Sequence, residues 1–210
     1  MFWTQIQNSE TQLTSYFNLR ANPVKKDRDL DPRSNFILLY FATDIKAQVI
    51  GGVRHTTDIA DSAYSPPLHI EKRAGISLST IVLDKFGISL QGQNISETAS
   101  IIIDPEYRGK SEAIKTLNLG LENLLTQNQT DIAFFAPYPP HDEILLRYFT
   151  SRNAKTYSIG HTTVIDDNVE QGRKKHILAV PLTQKSKQKF VQSNVPAISS
   201  TKGLTHSELT

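Results

Sequence analysis

The chain of 210 residues contains no cysteine. That removes disulfides, thiolate metal sites and a cysteine nucleophile from the available chemistry. It also lacks any apolar run near the roughly 20 residues that a membrane-spanning helix needs. Its first ten residues, MFWTQIQNSE, hold neither a basic segment nor an apolar stretch, so no secretory leader is expected. A strong charge of one sign is missing too, since the formal net charge is only +2. Lys185, Lys187, Lys189 and Lys202 against Glu208 concentrate positive charge in the last residues, leaving the body close to neutral. The one basic block in that body, Arg173-Lys174-Lys175, reads as a solvated hairpin, so no nucleic-acid partner is expected. His55, His69, His141, His161, His176 and His206 fall into no metal-ligand spacing, so no metal is expected. There is no G-x-S-x-G elbow for serine hydrolysis.

What is present is a globular composition, 38% hydrophobic, long enough for one substantial core. The chain reads as one domain over residues 1–182 and a flexible, polar, mildly basic tail over 183–210. A helix is expected from Thr11 to Leu19, then a charged loop over 22–35. Strands are expected at Phe36–Thr43 and Ala47–His55, paired as a hairpin. Gly51-Gly52 inside the second marks a bulge or a close backbone approach. Ile76–Phe86 fits strand or helix equally well by periodicity. Strands at 97–103 and 131–136 flank a helix at 111–127, forming a β-α-β unit. A short helix over His141–Arg152 and strands near 155–165 and 176–182 complete an α/β pattern with a mixed, mostly antiparallel sheet. The expected compartment is the cytoplasm.

The most informative stretch runs from Glu97 to Ala113. Small and β-branched residues at 100–103 suit a covered strand. Pro105 ends it. Beyond Lys110 the apolar positions Ala113, Ile114, Leu117, Leu121, Leu124 and Leu125 recur in steps of three and four, which puts them on one helix face. Between strand and helix lies Tyr107-Arg108-Gly109-Lys110-Ser111. Two cations and small residues at a helix N-terminus attract an anion, because the first amides are unpaired and the helix dipole is positive there. Gly109-Lys110-Ser111 has the ending of a nucleotide P-loop, but that motif needs glycine at 104, where Asp104 would repel phosphate.

This run resembles the acyl-CoA-binding motif of the GNAT N-acyltransferase superfamily, Arg/Gln-x-x-Gly-x-Gly/Ala after a strand ending in a "V-x-P-x-Y-R-G" phrase. Arg108, Gly109, Lys110, Ser111, Glu112 and Ala113 occupy it, with Ser111 where the family usually has glycine. The order of elements through roughly residues 10–182 is similar to the GNAT fold. Gly51-Gly52-Val53-Arg54, with Arg20 and Asp29/Asp31, resembles the branch of acyl-homoserine-lactone and N-acyl amino acid synthases. Ser100 stands where the lactone synthases carry arginine, and the tryptophan and phenylalanine they place after Arg20 are absent.

The resemblance implies an N-acyltransferase that moves an acyl group from a thioester to a small-molecule amine. The donor would be acyl-CoA or acyl-phosphopantetheine on an acyl carrier protein, its phosphates held by 108–113. Ile102 and Ile103 would lie along the thioester arm, with an amide near Ile102 polarising the carbonyl. Glu97 would relay the amine's proton. Tyr148, in a segment that resembles the family's tyrosine helix, would protonate the leaving thiolate. Arg54 and Arg20 would contact substrate. Two alternatives stand beside this reading: a lactone-type signal synthase using S-adenosylmethionine, and an inactive GNAT-like binding module.

Overall fold

The computed structural model describes residues 1–7, 10–19, 34–43, 46–57, 71, 75–139, 141–164 and 173–193. Among the described residues seven strands form one sheet: β1 (Phe2–Gln7), β2 (Asn35–Ala42), β3 (Ala47–Thr57), β4 (Ile95–Ile103), β5 (Ile132–Phe135), β6 (Tyr157–Val164) and β7 (Arg173–Pro181). Their order is β1-β2-β3-β4-β5-β7-β6. Only β4 and β5 run parallel; every other neighbouring pair is antiparallel. The parallel pair needs a crossover, and the helix α3 (Ser111–Gln127) supplies it. The other helices are α1 (Glu10–Asn18), α2 (Leu78–Phe86), α4 (His141–Ser151) and α5 (Gln184–Ser193).

The sheet is covered on both sides. In β2 the residues Phe36 to Tyr40 are all buried. Phe36, Leu38 and Tyr40 pack on Leu13 and Tyr16 of α1. Ile37 and Leu39 pack on Ala113, Leu117 and Leu124 of α3. An uninterrupted apolar run is what a strand covered on both faces requires. Further along, Ile132 and Phe134 of β5 meet Leu78 and Val82 of α2. Ala133 and Phe135 meet Leu121 and Leu125 of α3 and Phe149 of α4. Helices α1 and α2 therefore lie on one face and α3, α4 and α5 on the other.

The ambiguous segment around Ile76 is helical because both ends are capped. Ser77 Oγ accepts from Thr80 N–H, and Gly87 closes the helix at φ 67°, its N–H bonded to Leu83 and Val82 carbonyls. Three expectations change. Phe2–Gln7 is an edge strand paired to β2, where no strand was read. Strand β7 starts at Arg173 rather than near 176, so Arg173-Lys174-Lys175 pair with β6 within the expected hairpin. The flexible tail does not begin at 183: Thr183 Oγ1 accepts from Ser186 N–H to start α5, and Phe190 is fully buried beside Phe149. One buried aromatic anchors a segment whose other residues are polar, and average composition hides it.

Candidate functional site

The sheet contains one built-in opening. β4 and β5 pair at only four positions, from Ile95↔Ile132 to Thr98↔Phe135. β4 then continues for five residues to Ile103 without β5 beside it. Five extended residues span about 17 Å. On its other side β4 stays paired to β3, and there it bulges: Gly52 faces Ile102 and Arg54 faces Ala99, so Ser100 and Ile101 oppose Val53 alone. The glycine pair permits this close approach. A Cβ on Gly51 would stand 2.6 Å from the Ile102 carbonyl oxygen, and one on Gly52 would stand 2.7 Å from that of Ile37.

The same contact orients the open edge. The Ile102 carbonyl points towards β3, and the next-but-one amide, Asp104 N–H, donates to Ile50 at 2.8 Å. Peptide groups alternate along a strand. The polar groups of Ile103, not those of Ile102, therefore face the opening. The Ile102 amide, expected to polarise the carbonyl, thus points to β3 rather than into the opening. Arg108 confirms the direction, its Nε donating to the Ile103 carbonyl at 2.9 Å.

Beyond Ile103 the chain makes one 3-10 turn, Pro105–Tyr107, started by Asp104 accepting from Glu106 N–H at 2.9 Å. Turn bonds use the amides of Tyr107, Arg108, Lys110 and Ala113, which leaves those of Gly109, Ser111 and Glu112 outside them. Gly109 adopts φ 81°, a left-handed conformation that favours glycine. Lys110 sits at the N-cap of α3 without a side-chain capping bond. Its ammonium lies 4.2 Å from the Tyr107 ring centre. Gly109, Lys110, Ser111 and Glu112 are exposed while Ala113 is buried under the helix. The Glu112 carboxylate meets the Met1 amino group at 3.2 Å. The loop thus presents amides with no turn bond among the described residues, the positive end of a 17-residue helix dipole and two cations at the mouth of the opening.

Glu97 is the third residue of β4, not its first, and it is 1% exposed. Its Oε2 lies 3.9 Å from Nη2 of Arg54, which is equally buried. Both side chains lie on the α1/α2 face, as Glu97 pairs with Phe134 and Arg54 with Phe36. On the opposite face, His55 Nδ1 pairs with Thr98 Oγ1 at 3.1 Å. Full burial lowers the His55 pKa to about 4, so this imidazole is neutral near pH 7.

Tyr148 lies on that second face, against the cluster around Phe135 and Phe149. Its hydroxyl donates to Oε1 of the fully buried Glu122, which also accepts from Arg152 Nε at 2.7 Å. Burial, and then the Glu122 charge, push the Tyr148 pKa well above its ordinary value. The structure therefore does not bring Glu97 and Tyr148 together: they occupy opposite faces, with the sheet between them. Sequence reasoning missed Glu122, because a glutamate at an otherwise buried helix position gives no periodic signal. Arg20 lies outside the described residues. Among the described residues no cluster of three histidine or acidic side chains could hold a metal ion, and no helix is long and apolar enough to cross a membrane.

Comparison with solved structures places this geometry. A CoA-dependent acyl-homoserine lactone synthase, solved with MTA, superposes with TM-score 0.55 at 14% identity, covering 99% of this chain and 96% of that one. The chain has the GNAT acyltransferase fold. An N-acyl amino acid synthase from uncultured soil microbes gives TM-score 0.54 at 10% identity over 87% and 91%. A spermidine N-acetyltransferase chimera from Vibrio cholerae and hSSAT gives 0.52 at 13% over 91% and 99%. No family model and no curated protein matches the sequence. The GNAT core spans the described residues from β1 to α5, with the parted strands β4 and β5 at its centre.

Proposed function

We propose that the chain is an N-acyltransferase that uses a pantetheine thioester, acyl-CoA or an acylated carrier protein, and passes the acyl group to a small-molecule amine. One observation carries the reading. The β4 edge is open for five residues and ends in a left-handed glycine and an uncapped helix N-terminus. An extended arm carrying amides can lie along such an edge as an added strand does, while its phosphate meets Gly109, Ser111 and Glu112 N–H. The closed end of the opening, at Thr98 and Phe135, is where the thioester would come to rest.

Within the opening, amides of β4 that point away from β3 supply hydrogen-bond donors for an oxyanion. Arg54 and Glu97 face the amine from the α1/α2 side, and Glu97 takes the proton as nitrogen attacks. Its Oε2 lies 3.9 Å from the Arg54 guanidinium. Nitrogen forms the new bond to the carbonyl carbon, the C–S bond breaks, and the thiol leaves. With no cysteine to carry an acyl group, the attack is direct and both substrates are bound together. An acyl-enzyme trapped during turnover would contradict this order.

Calorimetry with CoA tests the donor site. Binding is expected, weakened at least tenfold by Arg108→Ala and by Gly109→Val, the latter because a β-branched residue resists φ 81°. Equal affinity in all three proteins would refute the assignment of the loop.

A further inference from the structure

A second ionisable pair sits near the opening and has no part in the chemistry above. His176 of β7 pairs through Nδ1 with Oδ2 of Asp142, in the first turn of α4. Asp142 is buried, and its Oδ1 has no hydrogen-bond partner. The His176 side chain keeps 32% of its surface exposed. The pair is tied to the β5 wall of the opening: His176 N–H donates to the carbonyl of Pro137, two residues beyond the last β4–β5 pair. Asp142 shares a helix face with Leu145 and Phe149, which pack on Phe135 and Leu178. His176 therefore lies on the α4 face, the same face as Tyr148.

A buried carboxylate on one ring nitrogen orients an imidazole, and the His176 side chain stays partly exposed. The leaving thiolate needs a proton, and the hydroxyl of Tyr148 is engaged by Glu122. We infer that His176, positioned by Asp142, is the proton donor to the leaving sulfur. This inference rests on the acyltransferase reading. In the step, the C–S bond breaks and its electron pair stays on sulfur. Nε2–H of the imidazolium passes its proton to that sulfur, the neutral ring keeps Nδ1–H on Asp142, and solvent reprotonates Nε2 through the exposed edge. The groups facing the ring are Asp142 from α4 and His161 from β6, whose ring stands edge-on at 4.3 Å. Tyr138 follows Pro137 and carries Lys175 over its ring at 4.5 Å.

The test compares wild type with His176→Asn, whose amide can still donate to Asp142 in place of Nδ1 but which has no Nε2. Three readouts are taken: acyl transfer, CoA affinity by calorimetry, and melting temperature. The expected result is a kcat lower by about 10²–10⁴-fold, with affinity and melting unchanged. Asp142→Asn should lower kcat with it. Activity near wild type in His176→Asn overturns the proposal. So does a loss that tracks a lower melting temperature, which marks the pair as structural only. If the wild-type chain consumes no thioester, the acyltransferase reading fails, and the leaving-group role with it. The oriented imidazole is then judged alone by diethyl pyrocarbonate. His176 should react faster than His161, and Asp142→Asn should slow it; equal rates refute the orientation.

Discussion

Removing one partner of the Arg54–Glu97 pair should destabilise the fold more than any surface change. Both side chains are almost without solvent, at 1% and 2% side-chain exposure. Glu97→Gln removes the carboxylate charge that stands 3.9 Å from the buried guanidinium. Breaking a buried pair in this way costs about 3–5 kcal/mol. For a chain of this size each kcal/mol shifts the melting temperature by roughly 2–4 °C. A fall of roughly 6–20 °C is therefore expected in a thermal melt. Arg54→Met should cost a similar amount, because it removes the opposite charge from beside the buried carboxylate. The double change Arg54→Met with Glu97→Leu removes both charges, and replacing a buried pair by apolar residues is often neutral or stabilising. The double variant should melt well above either single. Guanidinium unfolding of all four proteins closes the cycle. Singles that each cost under about 1 kcal/mol, or a double equal to their sum, would refute the claim that the two charges depend on one another. The same experiment matters for function, since Glu97→Gln must be assayed below its lowered melting point. There it should lose turnover while still binding CoA.

Other consequences follow from single side chains. Phe190→Ala should cost about 3–5 kcal/mol, visible in denaturant midpoints, because the ring is fully buried against Phe149; no effect would restore the tail to a flexible one. Gly52→Ala should cost about 1–3 kcal/mol by overpacking, since its Cβ would meet the Tyr16 ring at 2.8 Å as well as a backbone oxygen. His55 should make the protein acid-sensitive. Its folded pKa of about 4 lies below the ordinary value, so the unfolded chain binds more protons between those values. Stability should fall as pH drops from about 6.5 towards 4, and His55→Gln should flatten that part of the profile.

Much of this fold was legible in the residues because local signals agreed with burial. The steps of three and four from Ala113 to Leu125 predict α3, and the helix runs from Ser111 to Gln127 as expected. The Gly51-Gly52 pair predicts the close approach and the bulge. Two elements were not legible. In Phe2–Gln7 the polar residues Thr4, Gln5 and Gln7 mask an edge strand, whose pairing with Ile37 to Tyr40 is long-range. In α5 a single phenylalanine supplies the anchor. At the site, the turn and helix start over 108–113 were readable because Pro105, Gly109 and the apolar steps after Lys110 are local signals. The side-chain partners were not readable. Glu122 reaches Tyr148 across 26 positions and Asp142 reaches His176 from α4 to β7, and no spacing rule links residues so far apart.

Hydrogen exchange of the chain with and without CoA tests the central claim most directly. The account predicts slowed exchange at the amides of Gly109, Ser111 and Glu112 and along residues 99–103 of β4, with the β1–β2 edge unchanged. Binding of CoA that leaves those amides untouched, or no binding at any concentration of CoA or acylated carrier protein, would contradict it.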